Sequence, residues 1–269
     1  MHTTHITLSS LVDRALAGNL RPLEFYLREQ SRLPGARANL ELVNEVSYLL
    51  AALAKERPEE VRTLLSYLIS DERHKVMSNT PAEFIVLCGV VAYGVCAASA
   101  QPKWRSEVFE LLDRYACSAC WRVREGVATA FQRLLIAAPR ETVNFLMIMA
   151  AQGNYFQQRA AIAAMAEPVL LHSAETIHAA LTIHRLVLKR VYSSPATDRK
   201  RGDFRVLRQA LGYAVSVVTA AAPEEGFALM RDCAAWSDFD INWILRENLK
   251  KKRLAKFAEY TEDLSKLLA

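Results

Sequence analysis

The chain has 269 residues, enough to bury a large core as one extended domain or two compact ones. Apolar residues make up 52 % of it, and glycine and proline are scarce at nine each, which excludes a disordered or fibrous chain. The net charge of +5, with arginine in large excess over lysine, favours an anionic partner, and guanidinium groups suit phosphate in particular.

The opening "MHTTHITLSS" has neither a basic nor an apolar targeting region, so no targeting segment is expected, and His2 and His5 fall in a short polar tail. Residues 1–38 read as an N-terminal cap. Pro58 opens "RPEEVRTLLSYL", and proline in a first turn followed by glutamates is a helix start. The longest uncharged run, Phe84 to Gln101, is barely long enough to span a bilayer and is rich in small residues. Its neighbours are patterned like amphipathic helices of soluble proteins, so it reads as a buried helix and no membrane is expected. Five cysteines, an odd number set in helical patterns, fit a reducing cytoplasm.

"CSAC", Cys117 to Cys120, has CxxC spacing, but a zinc site needs two further ligands and no second CxxC exists. It reads as two small buried or half-buried residues at a helix start, and no metal is expected. The helix that follows, "WRVREGVATAF", has an apolar stripe of Val123, Val127, Ala130, Phe131 and Leu134. Trp121 lies roughly 140° from the centre of that stripe, beside Glu125 one turn on. A tryptophan so placed either packs against a neighbouring helix pair or forms an exposed plate for bases or sugars.

Pro139 and Pro223 each stand 15 residues after an arginine, Arg124 and Arg208, and each opens a helix ("PRE", "PEE"). Thr261 stands 15 after Arg246 and opens "TEDLSKLL". The arginines Arg124, Arg159, Arg208 and Arg246 are spaced by 35, 49 and 38 residues, each with an aromatic residue three or four positions before it and an aliphatic one three positions after. His172, His178 and His184 recur every six residues, which is not one helical face, so a shared metal is not expected. The longest interval holds a polar, basic loop, Tyr192 to Asp203. Between Arg185 and Arg208 lie Lys189, Arg190, Arg199, Lys200, Arg201 and Arg205, against only Asp198 and Asp203. Trp243 lies opposite its own stripe of Ile241, Leu245 and Leu249, and Tyr213 lies off the stripe of Leu207, Leu211, Ala214 and Val218. "LKKKRLAK" adds Lys250, Lys251 and Lys252 to the basic set. It reads either as a solvated helix end or as part of a phosphate track.

Strand-like alternation is absent throughout. Helix pairs at intervals of about 35–50 residues predict an all-α fold, a right-handed α-solenoid of about six HEAT-like pairs. The expected organisation is a single domain over 1–269, with repeats over 39–236 and a C-terminal capping repeat over 237–269.

The segments "ACWRVREGVATAF", "NYFQQRAAIAAM" and "DFRVLRQALGYAVSVVTAAAPEE" resemble consecutive repeats of the HEAT-like alkylpurine DNA glycosylases, the AlkD-like DNA alkylation repair family. The resemblance covers residues 117–236. It implies that Trp121 and Glu125 occupy the positions of that family's tryptophan and catalytic aspartate. It matches Arg159 to the family's second-helix arginine and Tyr213 to its second tryptophan. The sequence thus departs twice, with Glu for Asp and Tyr for Trp.

The activity the resemblance implies is hydrolysis of the N-glycosidic bond of cationic purines such as 3-methyladenine and 7-methylguanine. A carboxylate there stabilises an oxocarbenium-like sugar, and the family grips the backbone around the lesion rather than flipping the base. On this reading Glu125 and Trp121 are catalytic. DNA contacts fall to Arg159, Tyr213, Arg124, Arg199, Lys200, Arg201, Arg205, Arg208, Trp243, Lys250, Lys251 and Lys252. The expected partner is double-stranded DNA, bound by a monomer without cofactor. Two other readings stay open: a non-catalytic binder of distorted DNA, and a protein-interaction scaffold, the commonest use of HEAT arrays.

Overall fold

The computed structural model describes residues 7–268, and His2 and His5 lie outside the described residues. Every regular element among them is helical. The chain divides into two compact units, Met1–Ala138 and Pro139–Ala269.

Unit 1 holds α1 (Leu8–Leu16), α2 (Arg21–Glu29), α3 (Leu40–Leu53), α4 (Pro58–Leu68), α5 (Asp71–His74), α6 (Pro81–Val95), α7 (Arg105–Tyr115) and α8 (Trp121–Ala137). The uncharged run is α6, continued by a π turn at Cys96–Ala100. Every residue from Ala82 to Val95 is buried, as an all-round apolar helix requires. The stretch Pro81–Ala100 is long and apolar enough to cross a membrane, yet 89 % of its most apolar window is buried inside this fold. Helices α2, α3, α4, α7 and α8 pack around α6. Its tightest neighbour is α8, because Gly94 has no side chain: a Cβ there would lie 2.5 Å from the Cβ of Ala130.

Unit 2 holds α9 (Pro139–Gln152), α10 (Tyr155–Met165), α11 (Ala174–Tyr192), α12 (Gly202–Ala221), α13 (Pro223–Ala234), α14 (Phe239–Leu249) and α15 (Ala258–Leu267). Two rows form. In one, α10 packs on α12 and α12 on α14; in the other, α9, α11, α13 and α15 follow one another. Pro58 and Pro223 sit in the first turn of their helices, and Pro139 is the first residue of α9. The last helix departs from expectation. It starts at Ala258, three residues before Thr261. The reason is aromatic docking: Phe257 and Tyr260 pack on Phe227 of α13, with centroids 6.0 and 4.9 Å away, and this pulls the first turn forward. The basic loop narrows to 193–201 and carries one 3₁₀ turn, Asp198–Lys200. His172 and His178 are exposed while His184 is buried, so the three do not converge.

Candidate functional site

The first turn of α8 leaves backbone N–H groups without helical partners. One of them, on Arg122, donates to Oε1 of Glu83 at 3.1 Å. Glu83 comes from the first turn of α6 and is fully buried. Its Oε2 accepts Nη1 of Arg122 at 3.2 Å and the N–H of Asn79 at 2.7 Å. Arg122 then reaches the loop between α2 and α3, donating Nη2 to the carbonyl of Gly35 at 2.5 Å. Its guanidinium lies 4.4 Å from the centroid of the Trp121 ring, a cation–π contact. One buried ion pair thus caps α8, holds a loop and steadies the indole.

Trp121 is 45 % exposed, and Glu125 is exposed on the same side of the helix, as their i, i+4 spacing predicts. Both line a groove of about 650 Å³. One wall is α8, the other comes from α3 and the loop before it, and Leu87 and Val91 of α6 contribute apolar surface. Arginines Arg32, Arg37, Arg122 and Arg133 also line it. Arg32 pairs with Glu41 at 3.1 Å. Arg124 is buried and donates Nη1 to the carbonyls of Ser118 and Ala119 at 2.6 and 3.2 Å. It holds the "CSAC" turn and does not line the groove. Within that turn Cys117 is exposed and Cys120 buried. Burial pushes the Cys120 thiol up to about 11, so its reactive thiolate form is scarce at neutral pH. Among the described residues no three metal-ligating side chains come together.

The other candidates belong to unit 2. Arg159 is buried in α10. Tyr213 of α12 is 50 % exposed, and Arg253 donates to its hydroxyl at 2.6 Å while lying 4.5 Å from its ring centroid. Trp243 of α14 rests on Gly212, where a Cβ would lie 3.2 Å from the indole. The Arg208 guanidinium stacks on that indole at 3.9 Å. Nε of Arg208 is 2.8 Å from Oδ1 of Asp240, an ion-pair contact whose angle is too poor for a hydrogen bond.

The basic loop is largely satisfied from within. Arg199 bonds Asp238 and Asp240 at 2.8 and 2.9 Å and also reaches the carbonyls of Tyr192 and Ser194. Arg201 makes a two-pronged pair with Asp203 at 3.0 and 2.7 Å, and Arg205 donates to the carbonyl of Lys200 at 2.7 Å. Lys250 pairs with Glu247 at 2.5 Å. Lys200, Lys251 and Lys252 form no ion pair among the described residues.

Sequence reasoning missed Glu83, Arg122, Arg37 and Arg133. The two arginines flanking a Pro-Gly in "SRLPGAR" were the available signal for the groove's second wall, and nothing local marked Glu83. No family model matches the chain and no curated protein matches it.

Proposed function

We propose that the helix pairs are HEAT-like repeats of an α-solenoid that binds DNA and hydrolyses the N-glycosidic bond of cationic N-alkylated purines. The row-by-row packing of unit 2 supports the repeat reading. The observation that carries the chemical reading is the exposed Trp121–Glu125 pair at an arginine-rimmed groove. A cationic purine is already a good leaving group. As the bond breaks, its electron pair goes to the base, which departs neutral, and positive charge develops on the sugar. The Glu125 carboxylate stabilises that charge and orients the water that adds to the anomeric carbon; the Trp121 face adds cation–π attraction. The test is release of methylated bases from alkylated DNA by the purified protein. Release that is lost in Glu125→Gln supports the reading, and no release from the native protein removes it.

A second reading, a protein-interaction scaffold, draws on the pairing of Arg199, Arg201 and Arg208 with aspartates. A surface whose cations are already neutralised suits a protein partner of mixed charge. Duplex binding that falls steeply with salt argues against it.

A further inference from the structure

The groove of unit 1 is more than a rim for a catalytic pair. A DNA backbone gripped from outside needs only a basic surface. A concavity of about 650 Å³ falls in the range of sites that enclose small ligands. Its α8 wall is built from Trp121, Glu125, Thr129 and Arg133, which follow at four-residue intervals over about 18 Å of helix. That wall is aromatic and acidic at one end and basic at the other. Across from it, Leu40, Val43 and Leu87 supply apolar surface beside Arg32, Arg37, Glu41 and Asn44. A nucleotide has the matching polarity, with a flat base at one end and an anionic phosphate at the other.

The arginines separate into two kinds. Arg32 and Arg122 are paired with Glu41 and Glu83. Arg37 and Arg133 form no ion pair among the described residues. Nε of Arg133 and Nε of Arg122 are buried and have no hydrogen-bond partner among the described residues. An arginine without an ion pair leaves its guanidinium charge available to phosphate oxygens, which are strong acceptors.

We infer that this groove is a nucleotide pocket, with the base against Trp121 and Glu125 and the phosphate toward Arg37 and Arg133. The pocket itself follows from the groove's walls; only its preference for a cationic base rests on the proposed glycosylase chemistry. The same ligand chemistry has two sources, a nucleotide lifted out of a strand and a free mononucleotide. The first departs from the backbone grip that the family resemblance implies.

Isothermal titration of the full chain with 7-methylguanosine 5′-monophosphate and with guanosine 5′-monophosphate tests this. Both should bind saturably, the methylated one more tightly. Arg37→Gln and Arg133→Gln should each weaken both by about tenfold, the loss of one charge-assisted contact. Glu125→Gln should abolish the preference for the methylated base. Arg37 lies in an exposed loop, so its variant keeps the fold when Arg133→Gln does not. No saturable binding, or unchanged binding in Arg37→Gln together with a folded Arg133→Gln, overturns the pocket.

Competition identifies the source: duplex DNA carrying 7-methylguanine that displaces the bound mononucleotide assigns the pocket to a strand, and a duplex that does not displace it assigns the pocket to free nucleotides. Base release from alkylated DNA without nucleotide binding would sink the pocket and leave the enzyme reading standing. Nucleotide binding without base release would do the reverse.

Discussion

Glu125 and Glu83 show how burial assigns work to a residue type. Glu125 is exposed beside an indole, where a carboxylate can meet a developing cation. Replacing it with glutamine keeps the shape and removes the charge. Base release should fall by about 10²–10³, the usual cost of one strong electrostatic contact, with little change in melting temperature. If Glu125 serves only the fold, the variant keeps full activity. Glu83 is fully buried and answers to Arg122. Glu83→Ala should cost about 3–5 kcal/mol, because it strands a buried guanidinium and uncaps α8. Glu83→Gln should cost somewhat less, since it keeps one acceptor oxygen for the Arg122 N–H but leaves the guanidinium without its counter-charge. Equal melting temperatures for Glu83→Ala and the native chain would show that the pair carries no such weight.

At the scale of the element, the α6–α8 crossing sets the site. Gly94→Ala would drive a methyl group against Ala130 and force the two helices apart. It should cost about 1–3 kcal/mol, several degrees in melting temperature, and also reduce nucleotide binding, because Trp121 rides on α8. A variant as stable as the native chain would show that the crossing is slack. Helix α11 carries a pH signature. His184 is buried, its Nδ1–H donates to the Ala180 carbonyl at 2.7 Å, and burial pushes it down to about 4 from 6.5. Well above pH 6.5 both folded and unfolded chains hold it neutral. Between 6.5 and 4 the unfolded chain takes a proton that the folded one refuses, so stability falls as pH falls. The loss between pH 7 and 5 should be about 2 kcal/mol and absent in His184→Leu. Urea midpoints for the two chains at both pH values decide it.

The two faces of α8 were legible because both belong to one helix, where spacing fixes direction. The Arg122–Glu83 pair was not, since its members are 39 residues apart and only the α6–α8 crossing brings them together. Arg199 illustrates the same limit: among neighbouring cations it reads as phosphate-binding, but its aspartates arrive from the start of α14.

At the scale of the whole molecule, that pairing decides which charges remain for a polyanion. If DNA binds, the log–log salt slope should gain about 0.9 for each phosphate neutralised. Reversing charge at Lys251 and Lys252 should weaken binding to all sequences alike and flatten that slope. Fluorescence anisotropy across a salt series measures it, and an unchanged slope would remove "LKKKRLAK" from the interface. Arg199→Glu would be a poor probe of binding, because it sets a third carboxylate against Asp238 and Asp240 and destabilises unit 2 instead.

The Arg122 bond to the Gly35 carbonyl has a practical consequence. Together with the Gly35 N–H bond to Asn79 Oδ1 at 3.2 Å, it holds the loop that carries exposed Arg37 near the first turn of α8. Trypsin cutting after Arg37 would open the loop that forms part of the groove's wall, while α3 stays packed on α6. An occupied groove would cover Arg37 and slow the cut. The rate of that one cleavage, read on a gel, therefore becomes a direct gauge of whether the groove is filled.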